Sequence, residues 1–292
     1  PTPPMTSSDP TAALVSWLGA HALGLYGGLF LTLLALAALF WWLAQRYAVP
    51  REASPWSGGT FLLIRLGAGF AVLVAAAAMF AGIAEELGDG DRVGELDQLF
   101  SDAVRDNTPQ AALPVFAALT RLADTPTLAV LLAAGALTLW LLKRRWLALG
   151  WVLALGGNAV LNTTLKAVFE RTRPVHDTAL IHAQGWSFPS GHSSGAVVAY
   201  GMLAYVLVRT LPPPLAWRAS LPLVLAAVAT AFTVGSSRIF LQVHFATDVL
   251  AGFASGSAWL AVCIASHEGM RHYRHRRGGG GGGGGGGGRA IP

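Results

Sequence analysis

The sequence predicts an all-α, polytopic membrane bundle, and two observations carry that reading. Hydrophobic residues make up 53% of the 292 positions against 12% charged, and the mean hydropathy is +0.52, values outside the range of water-soluble domains. The apolar residues also fall into seven runs, at 22–44, 60–84, 126–142, 146–168, 192–210, 217–236 and 246–266, most of them near the roughly 20 residues a spanning helix needs. The net charge of +5 comes mainly from arginines at the ends of these runs and in the tail. That placement fits membrane orientation and excludes nucleic acid as the expected partner. Cys263 is the single cysteine, which excludes an internal disulfide and a cysteine-based metal site.

Residues 1–21 begin rich in Pro, Ser and Thr and then turn apolar with no basic residue. A secretory signal needs a basic start, so the expectation is a flexible tail leading into an uncleaved helix, with Met5 a candidate start. Residues 22–59 then supply the first span and a linker. Residues 93–123 mix charges with apolar positions and contain Pro109 and Pro114. They are expected to form amphipathic helices along the interface rather than a span. The 126–142 run that follows is the shortest candidate. Residues 269–292 are a basic segment ending in Gly278 to Gly288 and a few more residues, a composition expected to be flexible.

The Lys and Arg bias alternates from loop to loop. Arg46 and Arg51, Lys143 to Arg145, Arg209 and Arg218, and Arg271 to Arg277 share one side, which the charge rule assigns to the cytoplasm. The acidic loop from Glu85 to Asp106 lies opposite, with the N-terminus. Tryptophans at 41, 42, 56, 140, 146, 186 and 217 sit near span ends, where aromatic belts form. The Gly191/Gly195 and Gly252/Gly256 pairs have the spacing that lets membrane helices approach closely.

Three polar clusters interrupt this apolar background, all on the outer side by the same charge rule. In the first, Lys166 near the end of the fourth span precedes Arg173-Pro174. A lysine point charge and an arginine fork suit a phosphate, and the charge rule would not place cations there for orientation. Glu170 and Arg171 are expected to pair with neighbours in the loop. In the second, Pro189-Ser190-Gly191-His192 opens a helix, where free backbone N–H groups and the helix dipole favour an anion. His192 is then placed to protonate a leaving oxygen, although the string fits a capped helix with an incidental histidine equally well. In the third, Ser237-Arg238 supplies another cation, and His244 and Asp248 have the i, i+4 spacing of one helical face. A carboxylate so placed can hold one ring nitrogen protonated and turn the other toward an electrophile. A buried, satisfied His–Asp pair is the competing account.

Together the clusters read K-x6-R-P, P-S-G-H and S-R-x5-H-x3-D. This pattern resembles the type-2 phosphatidic acid phosphatases, or lipid phosphate phosphatases, related to bacterial acid phosphatases and vanadium haloperoxidases. The resemblance covers residues 60–268 and implies a six-helix phosphatase core, to which this chain adds one N-terminal transmembrane helix. It implies phosphate-binding roles for Lys166, Arg173, Ser190, Gly191 and Arg238, a general acid at His192, a nucleophile at His244 and an orienting carboxylate at Asp248. No metal or other cofactor is implied. His176, Asp177 and His182 match no motif position and are expected to be solvated rather than to bind a metal. The implied substrate is a lipid phosphate or diphosphate: phosphatidate, phosphatidylglycerol phosphate or a polyprenyl diphosphate. Phosphotransfer within the same family is the alternative. A transporter is disfavoured, since no inverted repeat is apparent and Arg65, near a span end, is the main charge within the spans. The alanine-rich, arginine-heavy composition fits a bacterial cell membrane, with the site facing the periplasm or exterior. Asn158, Asn162, Thr163 and Thr164 in the fourth span either orient Lys166 or make ordinary interhelical bonds.

Overall fold

The computed structural model describes residues 9–47, 58–88, 91–174 and 184–279, and every regular element in them is helical. His176, Asp177 and His182, and the tail from 280, lie outside the described residues. So do Trp56, Arg51 and the Arg65 side chain. Ten α-helices follow in order: α1 Pro10–Ala20, α2 Ala22–Tyr47, α3 Gly58–Gly88, α4 Asp91–Asn107, α5 Leu113–Thr120, α6 Thr125–Leu141, α7 Arg145–Phe169, α8 Gly191–Thr210, α9 Pro213–Phe240 and α10 Ala246–Gly279. Seven stretches are long and apolar enough to cross a membrane: Ala22–Tyr47, Gly59–Leu87, Gln110–Leu141, Arg145–Phe169, Gly191–Thr210, Pro213–Phe240 and Ala246–Arg274.

The third of these departs from the sequence reading. The apolar stretch reaches back to Gln110, 16 residues before the expected start at 126: the 3-10 turn Gln110–Ala112 leads into α5, and the 3-10 turn Arg121–Ala123 with extended Asp124 joins α5 to α6. Of the two prolines in that stretch, Pro114 stands in the first turn of α5, where a missing N–H costs nothing, and Pro109 precedes the Gln110–Ala112 turn. Only α4 keeps the expected amphipathic character outside the spans, and it packs on α1 and the bundle.

Residues 10–20 are also not a tail. Asp9 caps α1 by accepting from the Thr11 N–H at 2.9 Å, with Pro10 in the first turn. The apolar run behind this start signal docks on α4, and a Cβ on Gly19 would stand 2.7 Å from that of Ala103. At the other terminus α10 continues past residue 268, so the basic segment begins as helix.

The added helix α2 is pinned to α9 at both ends. Tyr26 Oη bonds Thr233 Oγ1 at 2.9 Å and its ring stacks on Phe232, while Trp41 donates to Ser220 Oγ at 3.0 Å. The centre of the bundle is α8, which contacts α7, α9 and α10. Around it Trp151, Ala154, Val198 and Met202 form a closed apolar core. The Trp151 indole donates to the Leu132 carbonyl at 3.0 Å and lies over Gly135, where no Cβ would fit.

The Gly252/Gly256 pair brings α10 onto α8, as its spacing suggests. A Cβ on Gly252 would stand 2.5 Å from the Ser190 oxygen, and one on Gly256 would stand 2.8 Å from Ser194 Cα. Backbone lies on the far side of both contacts, so nothing flexible can yield. Gly256→Leu is expected to force α8 and α10 apart and destabilise the protein by about 1–3 kcal/mol, read as a lower melting temperature in detergent. Gly82→Ala, whose new Cβ meets nothing within 4 Å, is the control and should leave that temperature essentially unchanged.

Candidate active site

All three polar clusters meet at one end of the bundle, because α7 and α9 end there and α8 and α10 begin there. Glu170 turns the chain out of α7 with φ 45° while its N–H still bonds the Lys166 carbonyl at 3.1 Å. Lys166 Nζ donates to the Trp186 carbonyl and, at 3.3 Å, to the Ser187 carbonyl. The Arg173 fork donates to the carbonyls of Val243 at 2.6 Å and Gly185 at 2.9 Å. These bonds hold the 171–174 and 184–189 segments together over the start of α10.

Asp248 is fully buried and has both oxygens engaged. Oδ1 accepts from Arg171 at 2.7 Å. Oδ2 accepts from the Phe245 N–H at 2.9 Å and from Ser187 Oγ, and lies 3.3 Å from His244 Nδ1. On the other side of the ring, Arg173 lies 3.1 Å from His244 Nε2. A guanidinium can only donate. Nε2 therefore carries the lone pair and Nδ1 carries the proton directed at Asp248, which is the tautomer a nucleophilic imidazole requires.

Ser190 caps α8: its Oγ accepts from the Ser193 N–H at 3.4 Å and from Ser193 Oγ at 2.9 Å. Its own N–H bonds the Asp248 carbonyl at 2.9 Å, tying the start of α8 to α10. Gly191 stands where a Cβ would lie 2.9 Å from Asn162 Oδ1. Asn158 and Asn162 point their amides at Ser194 Oγ, at 3.5 and 3.4 Å, and Thr163 and Thr164 bond back to their own helix. The side-chain hydrogen bonds of these four residues therefore serve helix packing, and none of those described reaches the Lys166 ammonium.

His192 accepts a partner the sequence did not suggest, Asp124 Oδ1 at 2.9 Å from Nε2. Arg238, 3% exposed, donates to Thr120 Oγ1 at 3.0 Å, and its buried Nε has no hydrogen-bond partner among the described residues. Such an orphan donor calls for an acceptor. Arg173 and Arg238 lie within electrostatic reach of both imidazoles.

Arg171 does not pair within its own loop. It bridges Asp248 and Asp97 of α4, the latter at 2.8 Å, and lies over the Phe245 ring. Asp97 also accepts from Thr247 Oγ1. Burial lifts the Asp97 carboxyl above its usual range, against the pull of Thr247 and Arg171. Burial draws the His244 imidazole below its usual range, and Arg173 and Arg238 act the same way against the contact with Asp248. The fold thus buries His244 between a carboxylate and a set of cations, an arrangement whose surplus positive charge suits an anion such as phosphate.

Residues 145–271 match the family model described as the PAP2 superfamily. The chain is 37% identical over 150 residues, 51% of its own length and 70% of the relative's, to phosphatidylglycerophosphatase B of Bacillus subtilis (strain 168). It is 30% identical over 186 residues, 61% of its length and 86% of the relative's, to an Escherichia coli (strain K12) protein carrying the provisional name undecaprenyl-diphosphatase YbjG. The crystal structure of a transmembrane PAP2-type phosphatidylglycerolphosphate phosphatase from Bacillus subtilis superposes with a TM-score of 0.63 at 30% identity, covering 69% of this chain and 98% of that one. The protein is thus an integral membrane phosphatase. It belongs to the PAP2 superfamily.

The neutral state of buried His244 has a consequence for stability. Its folded pKa lies below the ordinary 6.5, so below that pH the unfolded chain takes up a proton that the native chain refuses, and stability falls as pH falls. The raised carboxyl of Asp97 acts in the opposite sense, from its folded pKa above the ordinary 3.8 down to that value. Between about pH 7.5 and about pH 5.5 the histidine should dominate. The melting temperature in detergent is expected to drop across this window and to drop less in His244→Gln; equal slopes in the two proteins would contradict the neutral assignment.

Proposed function

We propose that this chain hydrolyses a phosphate ester or diphosphate at the head group of a membrane lipid through a phosphohistidine on His244. The single observation that supports this most is the tautomer of His244, with Nδ1 directed at buried Asp248 and Nε2 held beside Arg173. Lys166, Arg173 and Arg238, with the backbone at Ser190 and Gly191, bind the phosphoryl oxygens and stabilise the charge that gathers on them. His244 Nε2 attacks phosphorus in line as the bond to the leaving oxygen breaks. His192, whose Nε2 lies 2.9 Å from Asp124 Oδ1, gives that oxygen its proton. A water then attacks the phosphohistidine with His192 as base, releasing phosphate and regenerating His244.

The electrostatic work in this scheme falls on three cationic side chains, so activity is expected to survive chelators, and vanadate is expected to inhibit by standing in for five-coordinate phosphorus. The names of the relatives make phosphatidylglycerol phosphate and undecaprenyl diphosphate the first substrates to assay, with phosphatidate beside them. Phosphate release, rather than transfer to an added alcohol, distinguishes hydrolysis from phosphotransfer.

A nucleophile and a general acid should fail differently when the leaving group changes. His244→Ala is expected to abolish turnover and acid-quenched phosphoenzyme for every substrate. His192→Ala should lose at least about a hundredfold in turnover on an alkyl phosphate, yet still form phosphoenzyme from nitrophenyl phosphate, whose leaving group departs without a proton. Phosphoenzyme should then accumulate, because its hydrolysis also needs His192. A label on His192, or equal loss in phosphoenzyme formation across leaving groups, would reverse the two roles.

The charge bias of the loops supports a bacterial inner-membrane orientation with the site facing the periplasm or exterior, and the segment after Arg271 in the cytoplasm. Cysteines introduced at Gln184 and at Lys143 test this in intact cells. Labelling by an impermeant maleimide is expected at 184 and absent at 143; the reverse pattern would invert the topology.

A further inference from the structure

A large cavity lies at the opposite end from the active site, between α7 and α10. It encloses about 1020 Å³, and its floor is Trp259, whose indole donates to the Ala154 carbonyl at 2.8 Å and lies over Gly157. Leu149, Leu153 and Val262 form apolar walls, with Leu149 and Leu153 about half exposed on the outer face of α7. From Arg144 to Gly157 the cavity follows α7 for about 20 Å at 1.5 Å per residue, somewhat more than the roughly 15 Å hydrocarbon depth of one leaflet.

The mouth is cationic. Lys143, Arg144, Arg145, Arg209, Arg271 and Arg274 line it. The acidic side chain facing them is Glu268, which lies 3.7 Å from Arg209 and 3.6 Å from Arg271 and also accepts from Tyr205 Oη at 2.7 Å. One carboxylate serves both arginines. The buried Nε of Arg209 and the buried Nη1 of Arg271 make no hydrogen bond among the described residues. Loop orientation alone asks for cations at this membrane face, but it does not ask for unsatisfied buried donors beside a leaflet-deep apolar groove. A soluble phosphate would use the donors and leave the groove unused, whereas a phospholipid uses both.

We propose that this cavity is a binding site for an anionic diacyl phospholipid of the leaflet opposite the active site, with the phosphodiester at Arg209, Arg271 and Arg274 and an acyl chain along Leu149, Leu153 and Val262. The site is separate from the phosphate-reacting centre and does not depend on the substrate assigned to it. Its occupant adds to the contacts that join α7 to α10 at this end, where Trp259 and His267 lie against Gly157 and Gly150 and Arg274 lies over the Trp146 ring.

Native mass spectrometry of the full chain in detergent, titrated with dioleoyl phosphatidylglycerol or dioleoyl phosphatidylcholine, tests the assignment. The first phosphatidylglycerol adduct is expected to bind at least about tenfold more tightly than phosphatidylcholine. Arg271→Gln/Arg274→Gln should reduce that preference to within about twofold, while Lys166→Gln at the other end should leave it intact. Loss of the preference in Lys166→Gln alone would place the adduct in the active site and overturn the proposal. So would equal binding of the two lipids by the unmodified chain, or a preference that survives the double substitution. Glycerophosphoglycerol, the same head group without chains, is expected not to compete; competition at equal concentration would show that the apolar groove contributes nothing.

Discussion

The buried carboxylate of Asp248 is the constraint around which this end of the molecule is arranged. A fully buried charge is tolerated only with its lone pairs engaged, and its partners come from separate parts of the chain. Arg171 arrives from the exit of α7, Ser187 from the segment before α8, and the Phe245 N–H and His244 from the turn into α10. Removing any one leaves part of the charge unanswered in a low-dielectric interior. The order of the 171–174 and 184–189 segments, and with it the placement of Lys166 and Arg173, thus follows from satisfying one carboxylate.

That arrangement needs α8 and α10 to lie closer than ordinary side chains allow. The Ser190 N–H reaches the Asp248 carbonyl only because Gly252 offers no Cβ to the Ser190 backbone. The small residues of α10 and the phosphate-facing start of α8 are therefore one feature seen from two sides. Packing sets how near the helix N-terminus stands to the His–Asp pair, and the hydrogen bond then fixes its register.

Much of this was legible in the sequence, and what was not has a common cause. Lys166, Arg173, Ser190, Gly191, His192, Arg238, His244 and Asp248 stand in short motifs with fixed internal spacing, so their convergence could be expected. Arg171 was assigned to its own loop because its partners lie 77 and 74 residues away. Asp124 and Thr120 reach the site across 68 and 118 residues, from a stretch in which no motif marks them. Asp97 sat unremarked in an acidic loop, indistinguishable by composition from solvated neighbours. A polar residue within an apolar stretch announces itself, whereas a polar residue among polar residues is identified only by what it touches. The early helix α1 had a signal of its own, Asp9-Pro10 before an apolar run, outweighed by the Pro- and Ser-rich residues in front of it.

Arg171 also resolves an electrostatic conflict within the site. A bare carboxylate beside His244 would compete with a phosphate for Arg173, which already lies against the ring and within reach of the Asp248 field. By placing one guanidinium nitrogen on Asp248 and another on Asp97, Arg171 takes up much of the negative field of both carboxylates without facing the phosphoryl position itself. Asp248 can then orient the imidazole through Oδ2 while its Oδ1 is engaged elsewhere. Lys166, Arg173 and Arg238 are left with a surplus of positive charge, and it is this surplus that makes the end of the bundle attractive to an anion such as phosphate.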